Sequence, residues 1–224
     1  MQAIVTGASR GLGLALTRTR AERGWRIVVD ARDGDALQRA VGGLDGVVAV
    51  PGDVAAPDHR RRLVEAAGDS IDLLVNNASV LGPSPQPVRA EYPLEELRRV
   101  YEINVLAPLA LVQLVLPRLA DGARVLNITS DAAVEPYETW GGYGSSKAAL
   151  AQITAILGAE NPGVRFYAVD PGDMRTQMHQ EAFPGEDISD RPPPEESVPG
   201  LLQLIEGHAP SGLYRVRDLV GAST

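Results

Sequence analysis

The sequence predicts an α/β fold: one doubly wound parallel sheet of about seven strands with helices on both faces, in a single domain. Three observations point there. Short apolar runs alternate along the chain with amphipathic stretches of helical length. The runs are continuously apolar, as in strands covered on both sides. A chain of 224 residues has room for one large core rather than two.

Strands are expected at residues 3–6, 26–31, 47–50, 71–75, 124–129, 164–169 and 213–216, with helices at 11–23, 33–43, 57–68, 94–119, 142–160 and 195–207. The first run closes on Thr6-Gly7-Ala8-Ser9-Arg10-Gly11-Leu12-Gly13, which opens the first helix. Glycines there permit a tight turn and let backbone amides approach a pyrophosphate at a helix N-terminus, so this β-Gly-α unit reads as a nucleotide site. The second run ends in Val28-Val29-Asp30-Ala31-Arg32, the third leads to Asp53-Val54, and the fourth leads to Asn76-Asn77-Ala78-Ser79. Residues 103–119 are apolar but include Asn104, Pro108, Gln113, Pro117 and Arg118, and read as a buried helix rather than a membrane span. The fifth run leads to Ser130, and the helix after it carries Tyr143-Gly144-Ser145-Ser146-Lys147. Pro171-Gly172 and Thr176 follow the sixth run. A polar segment, 180–199, containing Arg191-Pro192-Pro193-Pro194, reads as a mobile loop within the domain.

Composition narrows the function. A net charge of −8 and a pI near 4.9 argue against a nucleic-acid partner. Without cysteine there are no disulfides, no thiolate nucleophile and no Cys-ligated zinc. His59, His179 and His208 are scattered, so no metal centre is expected. The opening apolar run is too short for a signal peptide, and the cytoplasm is the expected compartment.

The chemistry centres on Tyr143 and Lys147, four residues apart and therefore one turn apart on the same helix face. A phenol has an intrinsic pKa of about 10. An ammonium at roughly 4 Å, in an effective dielectric of about 20, attracts a phenolate by about 4 kcal/mol before desolvation. Lys147 is thus expected to lower the tyrosine pKa toward the range of a general acid/base. Ser130 would hold a substrate oxygen beside the phenol. Trp140, Tyr137 and Met178, with His179, are the candidates for the pocket wall. Asn76 reads as a structural residue tying adjacent strands.

The Gly-x-x-x-Gly-x-Gly spacing, together with these motifs, resembles the short-chain dehydrogenase/reductase family over residues 3 to about 177. The resemblance implies a Rossmann-like sheet, a nicotinamide cofactor, and Asn104, Ser130, Tyr143 and Lys147 as catalytic residues. It implies cofactor contacts from Gly7, Ser9, Arg10, Gly11, Leu12, Gly13, Arg32, Asp53, Val54, Asn77, Ala78, Tyr143, Lys147, Pro171, Gly172 and Thr176. Lys147 would also bind the nicotinamide ribose, Asn104 would hold a water leading from Lys147 to solvent, and Thr176 would fix the carboxamide. Ser79 departs from the family's glycine. Relatives usually form homodimers or homotetramers, here through helices near 104–119 and 145–157, where Ala148, Ala149, Ala151 and Ala155 allow close approach and Ile153 and Leu157 add apolar area.

Two cofactors compete at the tip of the second strand. Asp30 could accept both ribose hydroxyls, which implies NAD(H). Counted from Gly24 in the family register, the discriminating slot falls instead on Ala31, with Arg32 next and Asp30 turned to the other face. Arg32 and Arg10 would then meet a 2′-phosphate, so NADP(H) is the expected cofactor. The expected activity is hydride transfer between NADP(H) and a small carbonyl or alcohol. The alternatives are a non-catalytic NADP(H)-binding sensor or scaffold, and an epimerase or lyase on the same fold. Residues 79–95, 131–142 and 173–199 would set the substrate, the last of them closing over the site.

Overall fold

A computed structural model describes residues 1–221. Seven strands form one sheet in the order β3-β2-β1-β4-β5-β6-β7, every pair parallel. They are β1 (Gln2–Val5), β2 (Arg26–Val29), β3 (Val47–Ala49), β4 (Ile71–Asn76), β5 (Leu119–Ile128), β6 (Arg165–Asp170) and β7 (Gly212–Arg215). Between them lie α1 (Gly11–Glu22), α2 (Gly34–Val41), α3 (Pro57–Ala67), α4 (Leu94–Tyr101), α5 (Ala107–Val115), α6 (Gly141–Glu160), α7 (Gln177–Ala182), α8 (Val198–Glu206) and α9 (Val216–Val220).

The apolar runs explain the two-sided burial. Successive side chains of a strand point to opposite faces. Ala3, Val5, Leu73 and Val75 therefore join the core under α1, α2 and α8, while Ile4 and Leu74 join the core under α3, α5 and α6. A fully buried Leu or Ile contributes about 1.5–3 kcal/mol, so both faces of the central strands stabilise the sheet. Strand order reverses between β1 and β4, and the loops leaving their C-terminal ends diverge to open a crevice, the usual ligand position in such a sheet.

Three expectations are corrected. The helix expected at 94–119 runs to Arg118 but is not uniform: it widens to a π turn over Glu102–Leu106, tightens over Leu116–Arg118, and Leu119 already belongs to β5. Pro108 explains the widening, since it has no N–H for the carbonyl of Asn104 four residues earlier. By length and mean hydropathy (1.6) this 25-residue run is apolar enough to cross a membrane, yet half of its apolar window is buried within the domain. The substrate loop expected around 173–199 contains α7, whose first turn is capped by Thr176 Oγ1 accepting from the His179 N–H (3.2 Å). Ile153 and Leu157 do not face outward; they pack against the core under α3 and α5. On these helices Leu106 and Ile156 are the exposed large apolar side chains, at 50% and 46%.

Candidate active site

The glycine turn is closed by the strand beside it. Thr6 Oγ1 accepts from the N–H groups of Asn77 (3.0 Å) and Ala78 (2.9 Å). Asn77 Nδ2 donates to the carbonyls of Thr6 (2.8 Å) and Gly7 (3.1 Å). The fit leaves no space for side chains: a Cβ on Gly7 (φ +68°) would lie 2.9 Å from Ala78 Cα, and one on Gly13 would lie 2.6 Å from both Asn77 Nδ2 and the Gly7 carbonyl. Arg10, the N-cap of α1, gives no side-chain cap, so the free amides of the first turn are open to an anionic group.

Asp30 lies beneath this turn, 1% exposed, with both oxygens engaged. Oδ1 accepts from the Gly7 N–H (2.7 Å) and Oδ2 pairs with His59 Nε2 (3.0 Å). Burial pushes the Asp30 pKa up, while the bonds from His59 and Gly7 pull it down. Arg32, two residues on, is exposed at the cleft and, among the described residues, makes no hydrogen bond or ion pair. Arg10 reaches over the turn to Gln177 of α7. Asp53 Oδ1 accepts from the Ala55 N–H (2.9 Å), which fixes the loop that brings buried Val54 to the same wall.

Across the crevice, α6 brings Tyr143 and Lys147 under the end of β5. Tyr143 is 8% exposed and Lys147 2%. Lys147 Nζ donates to the Ile128 carbonyl (2.8 Å) and stands 5.4 Å from the centroid of the Tyr143 ring. Both groups are shifted chiefly by loss of water. Desolvation pushes the lysine from 10.5 down to about 7, and pushes the phenol above its ordinary value despite a hydrogen bond with Ser130. The expectation that Lys147 lowers the tyrosine pKa is therefore corrected: burial outweighs the attraction, and the lysine is itself only partly charged near neutral pH.

The side chain of Asn104 is saturated. Its Nδ2 donates to the Val80 carbonyl (2.9 Å) and Ser146 Oγ (3.0 Å), and its Oδ1 accepts from Ser79 Oγ (3.0 Å) and the Val80 N–H (2.9 Å). It is therefore not free to hold a water, as expected of it. Ser79, in the family's glycine position, is thus tied to the π turn. Ser146, whose Oγ donates to the Tyr143 carbonyl (2.7 Å), completes a link from Asn104 to α6 that sequence reasoning missed. Asn76 ties strands as expected: its Nδ2 donates to Asn127 Oδ1 (2.7 Å), and Asn127 Nδ2 donates to Thr154 Oγ1 (2.8 Å).

Every residue expected to touch cofactor or substrate lines one cleft of 1540 Å³, except Gly13 and Asn104, which support it from behind. Gly172 (φ +81°) turns the chain after β6, its N–H donating to Asp170 Oδ1 (2.9 Å), and the Pro171 carbonyl accepts from Ser197 Oγ (2.9 Å). Trp140 stands against Tyr143 (5.9 Å between centroids), Tyr137 (6.2 Å) and Phe183 of the α7 segment (5.8 Å). Phe183, Leu81 and Asp131 line the cleft without having been singled out; Asp131 alone had a signal, being next to Ser130.

Residues 1–187 match the family described as short chain dehydrogenase. The chain belongs to this family. It is 36% identical over 190 residues to 1-deoxy-11-beta-hydroxypentalenate dehydrogenase of Streptomyces exfoliatus, covering 80% of this chain and 69% of that protein. It is 32% identical over 231 residues to a benzil reductase ((S)-benzoin forming) of Saccharomyces cerevisiae, covering 97% and 84% of the two chains. Among solved structures it resembles an alcohol dehydrogenase from the archaeon Thermococcus sibiricus complexed with 5-hydroxy-NADP, at 26% identity and a TM-score of 0.81 over 95% of this chain and 94% of that one. A nicotinamide nucleotide fits the residues present in this family member. The amides of the first turn of α1 are open to the cleft, and buried Lys147 makes, among the described residues, a single hydrogen bond, leaving donors for the cleft.

Proposed function

We propose that this short-chain dehydrogenase reduces a ketone or aldehyde with NADPH, Tyr143 giving the proton. The observation that carries the reading is the convergence of Ser130, Tyr143 and Lys147 on the cleft that the glycine turn opens. The bound nucleotide supplies the hydride. Gly7, Ser9, Gly11, Leu12 and the first turn of α1 hold its pyrophosphate, with Asp53, Val54 and Ala78 about the adenosine. Asn77 acts by holding the turn. Pro171, Gly172 and Thr176 bound the nicotinamide end, and Lys147 Nζ offers donors to ribose hydroxyls.

Ser130 and Tyr143 position the carbonyl oxygen. Burial keeps the phenol protonated at physiological pH, the state a proton donor needs, and so favours the direction of reduction. As negative charge grows on the substrate oxygen, the Tyr143 proton moves to it, and any ammonium form of Lys147 stabilises what remains on the phenol. Trp140, Tyr137 and Met178 form the wall against which an apolar or aromatic part of the substrate packs, in keeping with the aromatic diketone named for the yeast relative.

The preference for NADP(H) rests on Asp30 and Arg32. Asp30, on the cleft wall, already has one oxygen on the Gly7 N–H and the other on His59, whereas Arg32 beside it is exposed and, among the described residues, unpaired, and so suits a 2′-phosphate. Steady-state turnover with a panel of ketones tests the reading. The wild type is expected to favour NADPH over NADH by at least about tenfold in kcat/KM, and Arg32→Glu to reverse the order. Tyr143→Phe is expected to bind NADPH and turn over at least about a hundredfold more slowly. A Tyr143→Phe enzyme with near-normal rates, or a wild type that prefers NADH, contradicts it.

A further inference from the structure

Asp131 is an unexpected neighbour for the chemistry described. Its Oδ1 accepts from Ser130 Oγ (2.9 Å) and the Ala132 N–H (2.8 Å), and its Oδ2 accepts from the Tyr137 hydroxyl (2.8 Å). Among the described residues, no lysine, arginine or histidine forms an ion pair with it. A carboxylate there works against reduction of a neutral ketone in two ways. It takes the single proton of Ser130, which the substrate oxygen would otherwise receive. Its charge also opposes the negative charge that grows on that oxygen; the same repulsion, from Asp170 and Asp131, helps to hold the Tyr143 pKa high.

A positive charge on the substrate offsets the second of these, by compensating the Asp131 charge beside the growing oxyanion. We propose that the substrate is a ketone or aldehyde bearing an ammonium group, held between Asp131 and the rings of Tyr137, Trp140 and Phe183. This rests on the reductase reading and adds the substrate class. The three rings stand together, with Trp140 5.8 Å from Phe183 and 6.2 Å from Tyr137, and such faces attract a cation more strongly once it is desolvated. The arginines nearest these rings are engaged elsewhere. Arg191 faces Asp173 at 3.9 Å, and Arg175 donates to the Ser189 carbonyl (3.2 Å). Glu138 adds a second carboxylate to the cleft wall.

The test compares three aryl ketones of one shape: meta-acetylphenyltrimethylammonium, its neutral isostere meta-tert-butylacetophenone, and the anion meta-acetylbenzoate. The wild-type enzyme with NADPH is expected to show a kcat/KM for the cation at least about tenfold above the isostere, with the anion lowest. Asp131→Asn, which keeps the acceptor on Oδ1, is expected to remove most of that difference. Binding of the same ketones to the NADPH complex of Tyr143→Phe, followed by calorimetry, gives a readout free of turnover and is expected to rank them in the same order. Equal affinities for cation and isostere in that complex overturn the inference, and so does a cation preference that survives Asp131→Asn. If no ketone is turned over while the binding order holds, the reductase reading fails and recognition of the cation stands.

Discussion

Replacing Lys147 by methionine is expected to remove a pH dependence of stability as well as turnover. Lys147 is 2% exposed, and desolvation lowers its pKa from 10.5 to about 7. Each pKa unit corresponds to about 1.4 kcal/mol, so an ammonium in that pocket costs about 5 kcal/mol where both folded and unfolded chains are protonated. The folded pKa lies below the unfolded one, so the unfolded chain binds the extra proton between about pH 7 and pH 10.5. Stability therefore rises with pH across that window. Tyr143 acts with the opposite sign: its raised pKa makes the folded chain retain a proton, which lowers stability only as pH rises through about 10. Between about pH 7 and pH 9 the lysine alone contributes about 2 kcal/mol. Urea unfolding of the ligand-free proteins at pH 7, 8 and 9 is the assay. The wild type is expected to gain about 2 kcal/mol more than Lys147→Met over this range. Losing the hydrogen bond to the Ile128 carbonyl offsets the variant by about 1 kcal/mol at every pH and leaves the slope untouched. Asp30 and Asp170, also shifted by burial, are common to both proteins and cancel in the comparison. Parallel profiles for the two proteins would refute the claim that the lysine is desolvated.

Gly13→Ala places a Cβ 2.6 Å from Asn77 Nδ2 and the Gly7 carbonyl, so it is expected to spread the turn and weaken NADPH binding at least about tenfold in a fluorescence titration, with the fold retained by circular dichroism. Asn77→Ala leaves the Thr6 and Gly7 carbonyls without their side-chain donor and is expected to cost about 1–3 kcal/mol in urea unfolding. Association as a homodimer or homotetramer through the α5 and α6 faces is expected to bury Leu106 and Ile156, so Ile156→Glu should shift light scattering toward the monomer; a wild type already monomeric at micromolar concentration would contradict it.

Much of the architecture was legible because strands covered on both faces must be apolar at every position, which leaves unbroken runs in the sequence. The pairing of Asp30 with His59 of α3 agrees with strand alternation once the register is counted from Gly24 as the family resemblance implies. The break in the long helix was less legible: Pro108 was visible, but not the widening to a π turn over Glu102–Leu106 that goes with it. α7 escaped because six residues carry too little periodicity; its cap on Thr176 and the contact between Gln177 and Arg10 hold it in place. The spacing of Tyr143 and Lys147 gave their proximity but not their burial, and burial decides the sign of the tyrosine shift. Asn104 was identified by position, whereas its saturated side chain depends on Val80, Ser79 and Ser146, which come together only in the fold.

Transfer of label from NADPH carrying deuterium at nicotinamide C4 tests the central claim most directly. With a reducible ketone, the wild-type enzyme is expected to place one deuterium on the carbinol carbon of the alcohol, read by mass spectrometry, and Tyr143→Phe is expected to form almost none. An alcohol formed without deuterium at that carbon, or labelled equally fast by the phenylalanine variant, would contradict it.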